Sequence, residues 1–139
     1  MPVAITADNF KNTVDKPGIV LLDFWAEWCG PCRAFAPIFE AASERHPAVT
    51  FGKVNTDEEQ DLAAAFRIRS IPTIMAFRDG VLVFAQPGML PAAALDELVQ
   101  NVGELDMEDV RKKIAEAEAK QGASDANDDD EEEDDDELV

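Results

Sequence analysis

The sequence predicts an α/β fold, with a central mixed β-sheet flanked by helices in the order βαβαβαββα and one further helix appended. Three observations carry that expectation. Ile19-Val20-Leu21-Leu22-Asp23-Phe24-Trp25 is a nearly continuous apolar run, as in a strand covered on both faces. Shorter apolar runs then alternate with stretches of helical periodicity, the pattern of a sheet layered between helices. Finally, Arg78-Asp79-Gly80 separates two apolar runs, a hairpin signal that makes one strand pair antiparallel and the sheet mixed.

Taken in order, Val3 to Ile5 is a short apolar strand. Ala7 to Lys16 places Phe10 and Val14 at helical spacing, and Pro17-Gly18 closes it. The strand Ile19 to Trp25 follows. Ala34 to Arg45 reads as a helix with Phe35, Ile38, Phe39 and Ala42 on one face, and Pro37 should kink it. Val49 to Val54 is a third strand. Glu58 to Phe66 is a polar helix with Leu62 and Phe66 turned inward. Thr73 to Phe77 and Val81 to Phe84 are the arms of the hairpin. Pro91 opens a helix whose stripe is Leu95, Leu98, Val99 and Val102, ending at Gly103.

Beyond Gly103 the pattern changes. Asp106 can cap a helix rich in Glu, Lys and Ala, with Met107, Val110, Ile114 and Ala117 in a narrow apolar stripe. From Gln121 onward there is little to bury, and the segment is expected to be disordered. The expected division is therefore 1–104 as the folded domain, 105–121 as an appended helix and 122–139 as an acidic tail.

Charge follows the same division. The 139 residues carry a formal charge of −18, from 30 Asp and Glu against 12 Lys and Arg. Eleven of the acids lie between Asp125 and Glu137, which leaves 19 against 12, or −7, for the rest. With no basic patch, the chain is not expected to bind nucleic acid, whose phosphates demand Lys and Arg. No apolar run approaches the ~20 residues of a spanning helix. The first residues lack the basic and apolar regions of a signal peptide, so the expected compartment is the cytoplasm. Two cysteines in such a compartment point to chemistry more than to structure.

Those cysteines stand in Trp28-Cys29-Gly30-Pro31-Cys32, where the buried strand hands over to a helix. Two cysteines three positions apart can close a ring when the second lies one helical turn from the first, with Cα atoms about 5 Å apart. Cys29 would lie at the helix N-terminus, where unpaired N–H groups and the macrodipole favour negative charge, so it should be the attacking thiolate. Cys32, further inside, should resolve the mixed disulfide. Pro31 fixes the backbone between them and lacks an N–H that the first turn does not need. A structural zinc site takes four ligands, whereas the chain holds two Cys and one His, His46, so no metal is expected. A structural disulfide closing so small a ring would constrain the unfolded chain little.

Asp23 interrupts the apolar strand six positions before Cys29. A carboxyl buried there would have its pKa raised toward the range useful for proton transfer, and strand alternation allows it to lie near Cys32. A strand-end Asp facing water is the alternative. Ser70-Ile71-Pro72-Thr73 precedes a strand, where proline is tolerated as plain geometry. A cis Ile71–Pro72 bond would turn Ile71 backbone groups outward toward a bound peptide, but only about 5–6% of X–Pro bonds are cis and spacing alone leaves the choice open.

Residues 1 to about 103 resemble thioredoxin nearly throughout. Leu22-Asp23-Phe24-Trp25-Ala26-Glu27-Trp28-Cys29-Gly30-Pro31-Cys32 carries that family's active-site signature, and Ala36-Pro37, Lys53-Val54-Asn55, Ile71-Pro72-Thr73 and Pro87-Gly88 fall where its later landmarks lie. The resemblance implies the thioredoxin fold, a cis Ile71–Pro72 bond beside the cysteines, Asp23 as a buried acid, and Lys53 approaching Asp23 to modulate its ionisation. It further implies a substrate groove of Trp28, Gly30, Pro31, Ile71, Pro72 and Gly88. The implied activity is reduction of protein disulfides by a monomer that binds no cofactor, draws on NADPH only through a thioredoxin reductase, and engages neither nucleic acid nor membrane. Arg33 stands where the family usually has Lys, and Pro87 where a β-branched residue is frequent. Both departures bear on partner preference more than on mechanism. A disulfide isomerase or oxidase, a peptide-gripping holdase, and an adaptor whose 107–120 helix and acidic tail recruit one partner are the rival readings, the last compatible with the domain's chemistry. Reduction potential tests the first, and activity after both cysteines become Ser tests the second.

Overall fold

The longest apolar run becomes the middle of the sheet. In the computed structural model, which describes residues 1–127, with side chains described to residue 120, the strand β2 (Ile19–Trp25) pairs parallel with β3 (Thr50–Asn55) on one side. On its other side it pairs antiparallel with β4 (Thr73–Arg78). β1 (Val3–Ala4) and β5 (Val81–Pro87) complete a five-stranded sheet in the order β1-β3-β2-β4-β5. The helices of this unit are α1 (Phe10–Val14), α2 (Gly30–Arg45), α3 (Gln60–Ala65) and α4 (Ala92–Gly103).

Alternation along the strands sorts side chains between two layers. Val20, Leu22, Phe24, Val54, Met75 and Phe77 join Ile5 and Val14 in one apolar cluster, with Phe10, Leu62 and Phe66 packed against it. The rings of Phe10, Phe24, Phe66 and Phe77 meet there at centroid distances of 5.4 to 6.2 Å, mostly tilted or edge-on as their quadrupoles favour. On the opposite face Phe39 meets Phe51 at 5.1 Å and Phe35 at 5.7 Å, which seats α2 against β3. Gly52 is required by close packing. A Cβ there would lie 2.6 Å from Ile5 Cγ1 and 2.9 Å from Leu22 Cδ2.

Turns and helix ends follow from local chemistry. The β4–β5 connection has positive φ at both Asp79 (54°) and Gly80 (82°), the requirement of a type I′ hairpin turn. Asp79 Oδ1 accepts the Gly18 N–H at 2.7 Å, joining this turn to the one before β2. α1 is shorter than the expected 7–16, because Thr6 and Asn9 exchange side-chain and backbone hydrogen bonds (2.8 and 3.3 Å) that hold 6–9 as a turn. α2 runs through Pro37 without interruption and starts at Gly30, four residues before the expected Ala34. At its far end Arg45 and His46 both bond Asp96 of α4 (2.9 and 2.7 Å) and hold that carboxyl below its ordinary range.

Met1–Glu104 forms one compact unit and the segment from Leu105 a second. The second contains α5 (Met107–Asn127), where Asp106 Oδ1 accepts the Asp109 N–H at 3.2 Å, as expected of an N-cap. α5 continues six residues past the expected end at 121. The acidic run from 128 onward, and with it the expectation of disorder there, lies outside the described residues. No described helix is long and apolar enough to cross a membrane.

Candidate active site

Because β2 ends at Trp25, residues 26–29 form the turn into α2. The Cys29 N–H donates to the Ala26 carbonyl at 3.2 Å, and the Arg33 guanidinium donates to the Glu27 carbonyl at 2.7 Å, fixing that turn from both sides. Cys29 takes the N-cap position in an extended conformation, with Pro31 in the first turn where its missing N–H costs nothing.

Cys29 and Cys32 are joined as a disulfide with their Cα atoms 5.2 Å apart. The Cys32 N–H donates to Cys29 Sγ at 3.2 Å, so a backbone donor and the α2 dipole both point at the first sulfur. Negative charge on Cys29 Sγ is thereby favoured, as for any anion at a helix N-terminus. Both cysteines are buried in this state, at 4% and 2% exposure, in a small cluster with Ala26 against which Trp25 and Ile71 pack.

Ile71 belongs to the facing loop. Ser70 to Thr73 turns tightly through a cis Ile71–Pro72 peptide bond, and Thr73 Oγ1 closes the turn by donating to the Ser70 carbonyl at 2.6 Å. The Ile71 carbonyl oxygen lies 3.6 Å from Cys29 Sγ. A disulfide sulfur carries no proton to donate, so this is a close contact here. It becomes a hydrogen bond only when Cys29 is a thiol. The Gly88 N–H, at a positive φ of 97°, donates to the Pro72 carbonyl at 2.7 Å. Ile71, Pro72 and Gly88 are thus linked to one another and to Cys29. Gly30 and Pro31 are exposed on the other side, and nothing lies within 4 Å of where a Gly30 Cβ would be. The site is an open surface rather than an enclosed cavity.

Trp28 is 68% exposed, and its indole Nε1–H donates to Asp57 Oδ2 at 2.9 Å. Asp57 is placed by Asn55, whose Oδ1 accepts the N–H groups of Asp57 and Glu58 at 2.9 and 3.2 Å. Nothing in the sequence singles out Asp57, since one acid in Asp57-Glu58-Glu59 carries no local signal. Asn55 directly after an apolar strand was the available hint of an Asx turn.

Asp23 is fully buried, and neither carboxyl oxygen has a hydrogen-bond partner. In the sheet it stands between Ile74 of β4 and Lys53 of β3. Burial, offset in part by the nearby Lys53 ammonium, pushes its carboxyl up from an ordinary 3.8 to about 7. Lys53 Nζ lies 4.5 Å from the Trp25 ring centroid, a cation held over an aromatic face. Lys53 and Trp25 also line a cavity of about 240 Å³ between β1 and the 55–59 loop. Among the described residues no group of three or more His, Cys, Asp or Glu is arranged to hold a metal.

Comparison with known proteins agrees with this geometry. The thioredoxin family model matches residues 1–101. A Streptomyces coelicolor protein provisionally named thioredoxin 2 is 52% identical over 120 residues, 86% of this chain and 90% of the relative. That shared length necessarily extends past residue 101 into α5. Thioredoxin 1 of Synechococcus elongatus is 47% identical over 94 residues, 66% of this chain and 88% of the relative. Among solved structures, a mutant thioredoxin from Halobacterium salinarum superposes with a TM-score of 0.70 at 32% identity, covering 75% of this chain and 92% of that one. The family model spans the whole sheet, both cysteines, the cis-proline turn and Asp23, and the chain belongs to the thioredoxin family.

Proposed function

We propose that the chain is a protein-disulfide reductase working by dithiol–disulfide exchange, with Cys29 as nucleophile and Cys32 as resolving thiol. The observation that carries this reading is the Cys29 sulfur. It caps α2, accepts the Cys32 N–H, is bonded to Cys32, and lies against the Ile71 carbonyl at the rim of an open surface. In the reduced protein the Cys29 thiolate attacks one sulfur of a target disulfide laid across Trp28, Gly30, Pro31, Ile71, Pro72 and Gly88. The target's other sulfur leaves and takes a proton. Asp23, ionised, accepts the Cys32 proton, and the Cys32 thiolate displaces the target from Cys29 Sγ. The second target thiol departs, two electrons have passed to the target, and the Cys29–Cys32 disulfide remains. Lys53 sets how readily Asp23 ionises.

Regeneration needs two electrons and two protons. We assign these to a thioredoxin reductase drawing on NADPH, so that the chain itself binds no cofactor and serves as an electron carrier in redox homeostasis. A reducing compartment, the cytoplasm, suits that cycle. Residues 1–104 suffice for the chemistry, with 105–121 and 122–139 as additions to it, and the working unit is a monomer. The test is a coupled assay with NADPH, a bacterial thioredoxin reductase and a protein disulfide, run beside a trapping experiment. Cys32→Ser should accumulate stable mixed disulfides through Cys29, and Cys29→Ser should accumulate none. Equal trapping by both variants would overturn the roles.

A further inference from the structure

The chain holds four methionines. Met75 and Met107 are buried at 4% and 7% exposure, Met1 is the first residue, and Met89 keeps 40% of its surface exposed. Met89 directly follows Gly88, whose N–H is bonded to the Pro72 carbonyl, and the neighbouring Ile71 carbonyl lies 3.6 Å from Cys29 Sγ. On its other side Leu90 is buried, which anchors the short segment and fixes where residue 89 emerges. The described large apolar side chains left exposed are Met1, Val3, Trp28, Leu82, Met89 and Ile114. Of these, only Trp28 and Met89 stand in segments joined directly to the disulfide or the cis-proline turn. A flexible, polarisable thioether suits irregular apolar partners, and it is also the side chain whose polarity an oxidant can invert.

We propose that Met89 is an oxidisable element of the substrate surface, and that its conversion to the sulfoxide by a hydroperoxide weakens docking of protein disulfides. The inference rests on the reductase reading above. In the step itself the thioether sulfur loses two electrons and gains one oxygen. The O–O bond of the peroxide breaks, and water leaves when the oxidant is hydrogen peroxide. While Cys29 and Cys32 are joined as a disulfide, neither offers a thiolate to compete for the oxidant, so the attack falls on the exposed thioethers, of which Met89 is the one beside the cis-proline turn and Met1 the other. The modified side chain brings a polar S=O group to a surface that otherwise buries apolar area on docking, and oxidant supply thereby lowers substrate affinity while the cysteines stay intact.

The experiment treats the full-length, disulfide-form protein with hydrogen peroxide and locates added oxygen by peptide mass mapping. Turnover is then measured on a protein disulfide and on a small aromatic disulfide. Met89→Leu, apolar but not oxidisable, is treated in parallel and absorbs any effect of Met1. Oxygen should appear on Met89 ahead of Met75 and Met107. The KM of treated wild-type protein for the protein disulfide should rise roughly three- to eightfold at unchanged kcat, the scale expected for losing burial of the exposed part of one methionine. Treated Met89→Leu, and either protein on the small disulfide, should not change. If untreated protein reduces no protein disulfide, the reductase reading fails and this proposal with it. If reduction is intact but KM moves equally in Met89→Leu, or Met75 or Met107 is oxidised first, this proposal alone is overturned.

Discussion

Replacing Asp23 with Asn should stabilise the protein by an amount that grows with pH. The carboxyl titrates near 3.8 when unfolded and near 7 when folded, so between those values the folded state holds a proton that the unfolded state has released. Stability from this group is therefore complete below the unfolded value and is lost as pH rises toward the folded one. From that shift the loss amounts to roughly 1.5–2 kcal/mol at pH 5, about 4 at pH 7, and only slightly more by pH 8.5, where both states are ionised. Asn keeps the shape and removes the titration. Denaturant unfolding of both disulfide-form proteins at pH 5 and pH 8.5 should give an Asp23→Asn minus wild-type difference that widens by about 2–3 kcal/mol. Keeping the disulfide prevents the thiols from titrating in the same range. A difference that stays flat with pH, or a variant that becomes the less stable protein at pH 8.5, would refute the buried-acid argument. On the proposed mechanism, in which Asp23 accepts the Cys32 proton, turnover of Asp23→Asn should be slower.

Three further outcomes follow from the same geometry. Lys53→Met removes the charge that lowers the Asp23 pKa, so the midpoint of the Asp23-dependent pH–rate profile should move upward from about 7, and a downward move would contradict the coupling. Gly52→Ala places a Cβ 2.6 Å from Ile5 Cγ1 and should cost about 1–3 kcal/mol in denaturant midpoint experiments, whereas an unchanged midpoint would mean that β1 shifts freely. Arg67 sits at a φ of 55° at the end of α3, its N–H bonded to the Ala64 carbonyl and the Ile68 N–H to the Ala63 carbonyl, a Schellman arrangement that favours glycine. Arg67→Gly should therefore raise stability by about 0.5–1 kcal/mol, and a loss would point to a contact made by the Arg67 side chain.

What could be read from the sequence was whatever local chemistry decides. The β2 run and the Asp79-Gly80 turn announced themselves because continuous apolarity and positive φ each demand particular residues. β5 reaches Pro87 rather than the expected Phe84, since Gln86 and Pro87 lie on an edge strand, where a missing N–H breaks no ladder. α2 begins before its apolar periodicity, as the expected position of Cys29 at the helix N-terminus requires: Cys29 is the N-cap, and its Sγ receives the Cys32 N–H. α5 outruns its expected end because adding a residue to a formed helix is far cheaper than starting one, so Gly122 alone need not stop it.

The active site shows the same division between local and non-local information. The helix-start position of Cys29 was legible from spacing, since it depends on four consecutive residues. The Asp23–Lys53 juxtaposition was not, because it depends on the parallel register of β2 with β3 between residues thirty positions apart, and only the family resemblance supplied it. The same holds for the cis-proline turn, which reaches Cys29 only because β4 runs antiparallel beside β2. The order of these strands explains why the chemistry sits where it does. β2 is central, flanked on both sides by strands, so Asp23 can be fully buried, while the C-terminal end of β2, the start of β4 and the end of β5 meet at one end of the sheet. A carboxyl kept dry in the middle of the sheet is thus a consequence of the central strand, and moving it by a single residue along β2 would turn it to the opposite face.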